Sequence, residues 1–235
     1  GFIHDVEEPF TVYQLLSLQD IYADESLNAF QKEKAVEKRL EDAKKKIAVQ
    51  QNLPEDRIRF QRGLKERFQR AIYVSGRYLN DFENIFAAQG LPKELTRLVF
   101  VESSFNVLAR SKVGASGLWQ IMPSHARASR MISSDIDKRN DPFEATVMAA
   151  KILRDNYLLL GSWPLALTAY NHGPTGVRKL TETYKTKDLG ELIRTAKSRR
   201  SFAFASKNFY ACFLAALEIE KEADRYFKPA LWATP

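Results

Sequence analysis

One carboxylate, Glu102, sits where an apolar helix face should continue, and this placement constrains the chain more than any other feature. It lies within residues 90–123, GLPKELTRLVFVESSFNVLARSKVGASGLWQIMP. Pro92 suits the first turn of a helix, where its missing N–H costs nothing, and Leu95, Leu98 and Val99 then recur at i, i+3 and i+4. The next member of that stripe, at i+7, is Glu102. A carboxylate on the buried face of its own helix is desolvated, which disfavours the charged form and lifts the pKa toward that of a usable general acid. The plainer alternative is that Glu102 ends the helix and turns out to an Arg or Lys. The residues just downstream speak against that alternative. Gly114 and Gly117 permit tight backbone approach, and Trp119, Gln120 and Met122 supply a stacking surface, an amide and a soft apolar wall, parts suited to gripping a sugar.

Glu102-Ser103, Phe105-Asn106, Ser111, the run Gly114-Ala115-x-Gly117-Leu118-x-Gln120 with Met122, and the later Ala169-Tyr170-Asn171 form an ordered set spanning about half the chain. Together they resemble the catalytic domain of soluble-type (SLT) lytic transglycosylases, relatives of goose-type lysozyme that cleave peptidoglycan, and within that family the membrane-bound, D-like members. The resemblance implies a mainly α, lysozyme-like domain over residues 90–235, preceded by an N-terminal helical extension over residues 1–89. It implies Glu102 as the catalytic acid, with Ser111, Gln120, Met122, Tyr170, Asn171 and Tyr210 lining the substrate cleft. Tyr210 is carried over from a Glu-Thr-x-x-Tyr segment of relatives that reads Ser206-Lys207-Asn208-Phe209-Tyr210 here, keeping the tyrosine without the Glu-Thr pair.

Glycoside cleavage usually takes two carboxylates, so the neighbourhood of Glu102 in sequence is informative. Between Glu102 and Ile132 there is no other Asp or Glu, and Met122 stands where the goose-type lysozymes resembled here carry an Asp. Asp135 and Asp137 fall in an expected loop, as cap or turn residues. A single acid suffices if the substrate supplies the nucleophile: Glu102 protonates the bridging oxygen after N-acetylmuramic acid, the N-acetyl group shields C1, and the C6 hydroxyl closes a 1,6-anhydro ring. The rival readings are a lysozyme-like hydrolase using water, with a base outside the motif, and a non-catalytic peptidoglycan-binding protein.

The net charge of +7, from 36 Lys+Arg against 29 Asp+Glu, suits an anionic partner such as an acidic cell-wall polymer. The cations are dispersed and no nucleic-acid fingerprint accompanies them, so nucleic acid is not the expected partner. Peptidoglycan glycan strands are, with the chain expected to act as a monomer. His4, His125 and His172 are scattered without metal-ligand spacing, and neither a metal nor an organic cofactor is expected. No apolar run of 18 or more residues exists to span a membrane, and no signal peptide is visible at Gly1. The resemblance implies a periplasmic or exported protein whose targeting segment is absent here, with possible outer-membrane association.

Along the chain, residues 1–56 read as a helical, charge-rich lead-in in which Phe10, Tyr13, Leu15, Leu16 and Ile21 form one apolar face. The Lys/Glu-laden stretch 33–46 reads as a solvated surface, and Asn52-Leu53-Pro54 as a break. Residues 57–89 read as a second helical region carrying Phe60, Leu64, Phe68, Ile72, Tyr78, Phe82 and Phe86. Asp141-Pro142-Phe143-Glu144 is a helix start, with Asp141 as N-cap and Glu144 closing a capping box, and Gly161 ends that helix. Trp163-Pro164 opens the helix that delivers Tyr170 and Asn171, with His172 in the loop beyond. A last helix over residues 206–226 buries Tyr210, Phe213, Leu214 and Leu217, with Cys212 packed as a small hydrophobe.

Overall fold

The structure, a computed structural model, describes residues 1–8, 11–133, 135–197, 202–227 and 231–234. It divides into two compact units, Gly1–Leu64 with Ser198–Lys207 and Lys65–Lys197 with Asn208–Pro235.

The first unit is not wholly helical. Strands β1 (Phe2–Asp5), β2 (Val12–Leu15) and β3 (Ile58–Gln61) form an antiparallel sheet in the order β2-β1-β3, with Ile3 opposite Gln14 on one side and Phe60 on the other. Short runs rich in Ile, Val, Tyr and Phe fit a pleated surface better than a helix, and once the chain pairs them the helical reading of these segments fails. Ile3, Ile47, Ala48 and Ile58 make the core beneath the sheet, while Leu15, expected on the apolar face, is 80% exposed. Phe10 lies outside the described residues. Buried Asp5 accepts from the Tyr13 hydroxyl (2.5 Å), from Arg57 Nε and from the backbone N–H of Glu7 and Glu8. Burial alone would raise its carboxyl, and these donors outweigh that and hold it below its ordinary value.

Helices α1 (Gln19–Ala23) and α2 (Ala29–Gln51) also belong to this unit. Asn28 and Gln31 cap α2 reciprocally, and Asn52, in the left-handed region, ends it at the expected break. Only Val36, Ile47 and Ala48 of α2 are buried, so its charge run is solvated as read.

The second unit holds α3 (Lys65–Ser75), α4 (Leu79–Ala88), α5 (Leu98–Glu102), α6 (Pro123–Ala128), α7 (Pro142–Leu160), α8 (Trp163–His172), α9 (Pro174–Tyr184) and α10 (Leu189–Thr195). It also holds α11 (Phe204–Lys221) from Asn208 onward, and α12 (Ala223–Tyr226). The chain is mainly helical, as its sequence implies. One core runs from Ile72, Phe82 and Phe86 through Leu98, Val99 and Trp119 to Ala145, Ala149 and Leu153. Asp141 caps α7 through the N–H groups of Phe143 and Glu144, and Gly161 ends it at φ 73°. Glu144 does not close a capping box and instead pairs with Lys138 at 2.9 Å. Beside the 3₁₀ turn that leads into α5, Arg97 bonds Glu83 and, at 3.0 Å, Glu220, tying that turn to α4 and α11.

Three expectations for the last helix need correction. It breaks at Glu222 into α11 and α12, Leu214 is 45% exposed, and Cys212 is an exposed residue and not a core one. The buried stripe of α11 is narrower than the apolar sequence suggests, running through Phe209, Phe213 and Ala216. Among the described residues no helix is long and apolar enough to cross a membrane.

Candidate active site

Pro92 stands in extended conformation ahead of a 3₁₀ turn, Lys93–Arg97, and the α-helix proper is the five residues of α5. The helix is therefore shorter than the stripe predicts, but the stripe's outcome holds: Leu95, Leu98 and Val99 are buried and Glu102, the last residue of α5, is half-buried. Burial pushes the Glu102 carboxyl up to about 8, with no charged neighbour contributing. It holds its proton at neutral pH and so can give one away.

The next three residues fix the helix end. The N–H groups of Ser103 and Ser104 both return to the Val99 carbonyl at 3.1 Å, and Arg67 donates to the Ser103 carbonyl at 3.3 Å. Ser104 and Phe105 then take positive φ values of 53° and 56°, which non-glycine residues adopt only when held. The hold is the Phe105 ring, buried edge-on to Phe100 at 4.8 Å and stacked beside Phe82. Two strained residues so close behind the acid reverse the chain and keep Glu102 at the helix terminus.

Residues 109–121 form a small hairpin through bridges Arg110 to Ser116 and Ser116 to Ile121. The Ser111 hydroxyl accepts from the Ala115 N–H at 2.9 Å, leaving its own proton to donate. Gln120, at φ 48°, spends its amide group on the carbonyls of Ala109 (3.1 Å) and Gly117 (2.9 Å), leaving its Oε1 as an acceptor. A donor at Ser111 and an acceptor at Gln120 on one hairpin match the carbonyl and N–H of a secondary amide. Gly117 makes the expected close approach: at φ 78°, a Cβ there would lie 2.0 Å from the Arg139 carbonyl oxygen. Met122 is 37% exposed.

Trp119 is no sugar platform. It is fully buried, stacked on Phe86 at 5.5 Å, and its indole N–H donates to Thr146 Oγ1 at 2.8 Å. Its large apolar body and satisfied N–H make it the centre of the core.

Helix α8 presents Tyr170, whose hydroxyl donates to the Trp119 carbonyl at 2.8 Å. Burial raises the Tyr170 phenol well above its ordinary value, and the charge of Glu102 adds to the shift, so the two side chains are neighbours. Tyr170 thus joins the acid to the hairpin one residue before Gln120. Asn171 is the next residue of α8 and is exposed, and His172 is the last residue of that helix, not a loop residue. Tyr210 is half-buried on α11, its ring stacked with Phe213 at 6.3 Å.

Asp137 caps a 3₁₀ turn, as expected, and is paired with Arg139, whose hydrogen bonds hold its carboxyl below the usual range. Sequence reasoning missed Arg139 itself. Its guanidinium is buried, donating to Asp137 and to the carbonyls of Gly114 (2.7 Å) and Ile121 (3.1 Å). Nothing in a Lys-Arg-Asn triplet distinguishes such an arginine from a solvated one.

The mainly helical fold and the desolvated acid at the end of α5 can be set against known proteins. Residues 82–193 match the Transglycosylase SLT domain. Over 101 residues it is 36% identical to the membrane-bound lytic murein transglycosylase D of Escherichia coli K12, a match covering 42% of this chain and 22% of that protein. The fold resembles that of an inactive mutant of the lytic transglycosylase Slt of Pseudomonas aeruginosa, with a TM-score of 0.50 and 22% identity over 64% of this chain and 25% of the other. The chain therefore spans about a quarter or less of the length of either relative.

Proposed function

We propose that the chain is a lytic murein transglycosylase acting on peptidoglycan glycan strands in the cell envelope, with residues 90–235 as its catalytic part. The observation that carries this reading is Glu102, a half-buried carboxyl raised to about 8 by desolvation alone, with no second carboxylate or cation shifting it. The name of the E. coli relative, a membrane-bound murein enzyme, supports the substrate and the envelope location.

Glu102 gives its proton to the glycosidic oxygen between N-acetylmuramic acid and N-acetylglucosamine as the C1–O bond breaks. The muramoyl acetamido oxygen bonds to C1 and disperses the positive charge, oriented by the Ser111 hydroxyl and the Gln120 Oε1. Left as an anion in a desolvated site, the Glu102 carboxylate is a strong base, and it takes the proton of the C6 hydroxyl as O6 displaces the acetamido oxygen from C1. One residue serves as acid and then base, and no water is consumed. Met122, Tyr170, Asn171 and Tyr210 shape the muramoyl site. The intramolecular hydroxyl outcompetes water because effective molarities of well-oriented groups reach about 10⁵ M or more.

The test is mass analysis of the muropeptides released from purified sacculi. Products ending in 1,6-anhydro-N-acetylmuramic acid are expected. Reducing-end products would make the chain a hydrolase, and sacculus binding without release would make it a binding protein.

A further inference from the structure

We infer that Arg139 and Asp137 form a clamp that sets the geometry of the substrate-reading hairpin, making Arg139 a positioning residue for the binding groups Ser111 and Gln120. The inference rests on the proposed reading of the cleft as a glycan site, and its geometry comes from four hydrogen bonds of one side chain.

Arg139 is 6% exposed. Its Nε and Nη2 donate to the two carboxylate oxygens of Asp137 at 2.9 and 2.7 Å, a planar fork that fixes the plane of the guanidinium. Its Nη1 then donates to the Gly114 and Ile121 carbonyls. Those two acceptors are not arbitrary. Gly114 closes the turn that begins at Ser111, through its N–H to the Ser111 carbonyl at 3.0 Å, and Ile121 is the residue after Gln120. One nitrogen therefore pins both arms of the hairpin beside the two groups that face substrate.

The same segment holds the hairpin at two further points. Asn140 Oδ1 accepts from the Ser116 hydroxyl at 2.8 Å, and Gly117 lies against the Arg139 carbonyl with no room for a Cβ. Gln120 is held at φ 48°, a conformation a non-glycine residue keeps only while its surroundings impose it. Removing the Nη1 contacts leaves the Ile121 carbonyl with the Ser116 N–H at 3.2 Å as its remaining partner and the Gly114 turn without its anchor, so the arm that carries Gln120 loosens and its Oε1 turns away from the acetamido N–H. Lysine cannot replace arginine here, because a point ammonium cannot bond Asp137 in a fork and reach two carbonyls at once.

The experiment compares wild type, Arg139→Ala, Gln120→Ala and the double variant, each assayed per folded molecule on purified sacculi, with no addition, with millimolar methylguanidinium and with millimolar ammonium. Glycan binding is measured in parallel on the same variants carrying Glu102→Gln, with soluble N-acetylated glycan strands as the probe. A positioning role predicts a loss of tenfold or more for Arg139→Ala in turnover and in binding. It also predicts that this loss is non-additive with Gln120→Ala and is restored by methylguanidinium but not by ammonium. Losses that simply multiply between the two variants, or a methylguanidinium effect confined to melting temperature, would overturn the clamp. If wild type releases no product, the transglycosylase reading falls, and the binding series still decides for or against Arg139.

Discussion

The hydroxyl of Tyr170 donates to the backbone carbonyl of Trp119 at 2.8 Å while its ring lies close enough to Glu102 to feel the carboxylate's charge. That one side chain ties the acid on α5 to the hairpin that carries Gln120. Tyr170→Phe removes only this tie. Loss of one hydrogen bond costs about 1 kcal/mol, so the melting temperature should fall modestly. Turnover should fall by more than that, through misplacement of the hairpin against Glu102. A stability loss with unchanged activity per folded molecule would reduce Tyr170 to a core aromatic.

Glu102→Gln should abolish turnover and leave glycan binding intact, since an amide has the shape of the acid but no proton to give. Substantial residual activity in sacculus digests would remove Glu102 from the catalytic role.

The same residue should shape stability against pH. Its carboxyl is raised from 4.5 in the unfolded chain to about 8 in the fold. Below pH 4.5 both states carry the proton, so the native state gains or loses nothing. Between 4.5 and about 8 the unfolded chain has released the proton and the native protein has not, so stability falls as pH rises, and it levels off above about 8. At about 1.4 kcal/mol per pKa unit, discounted for partial exposure, the penalty near pH 8 is on the order of 2–3 kcal/mol. Glu102→Gln should flatten this slope in denaturant melts and be more stable than wild type at pH 8. Parallel curves for the two proteins would contradict the desolvated acid. For activity, turnover should be lost as pH rises through about 8 and the acid gives up its proton.

Trp119→Ala should behave as a core truncation, costing about 3–5 kcal/mol. Trp119→Phe should keep glycan affinity while losing the bond to Thr146. A selective loss of affinity in Trp119→Phe would return the indole to the cleft.

Much of the site was legible because its signals are local. Glu102 on an apolar stripe, the Asp141-Pro142 cap and the Gly161 stop each come from a few adjacent residues, and the structure has them there. Gly117 was legible as a close approach, although the atom it approaches, the Arg139 carbonyl, was not. The misses are the long-range ones. Strands β1 and β3 are paired across more than fifty residues, so runs that read as helix faces become a sheet only through contacts the local pattern does not contain. Trp119 stands between the glycine-rich stretch 114–117 and Gln120, a setting that suggests a cleft, and only the packing of Phe82 and Phe86 around it reveals a core position. Arg139 is buried because Asp137 and two distant carbonyls satisfy it, which no triplet of sequence encodes.

The central claim, that one acid and an intramolecular hydroxyl carry the whole reaction, is tested by digesting purified sacculi in ¹⁸O-labelled water and weighing the muropeptides. Closure by the C6 hydroxyl predicts products one water lighter than hydrolysis products and free of label at C1. Products with a labelled reducing end would mean that water attacks C1, and would contradict the single-acid mechanism at Glu102.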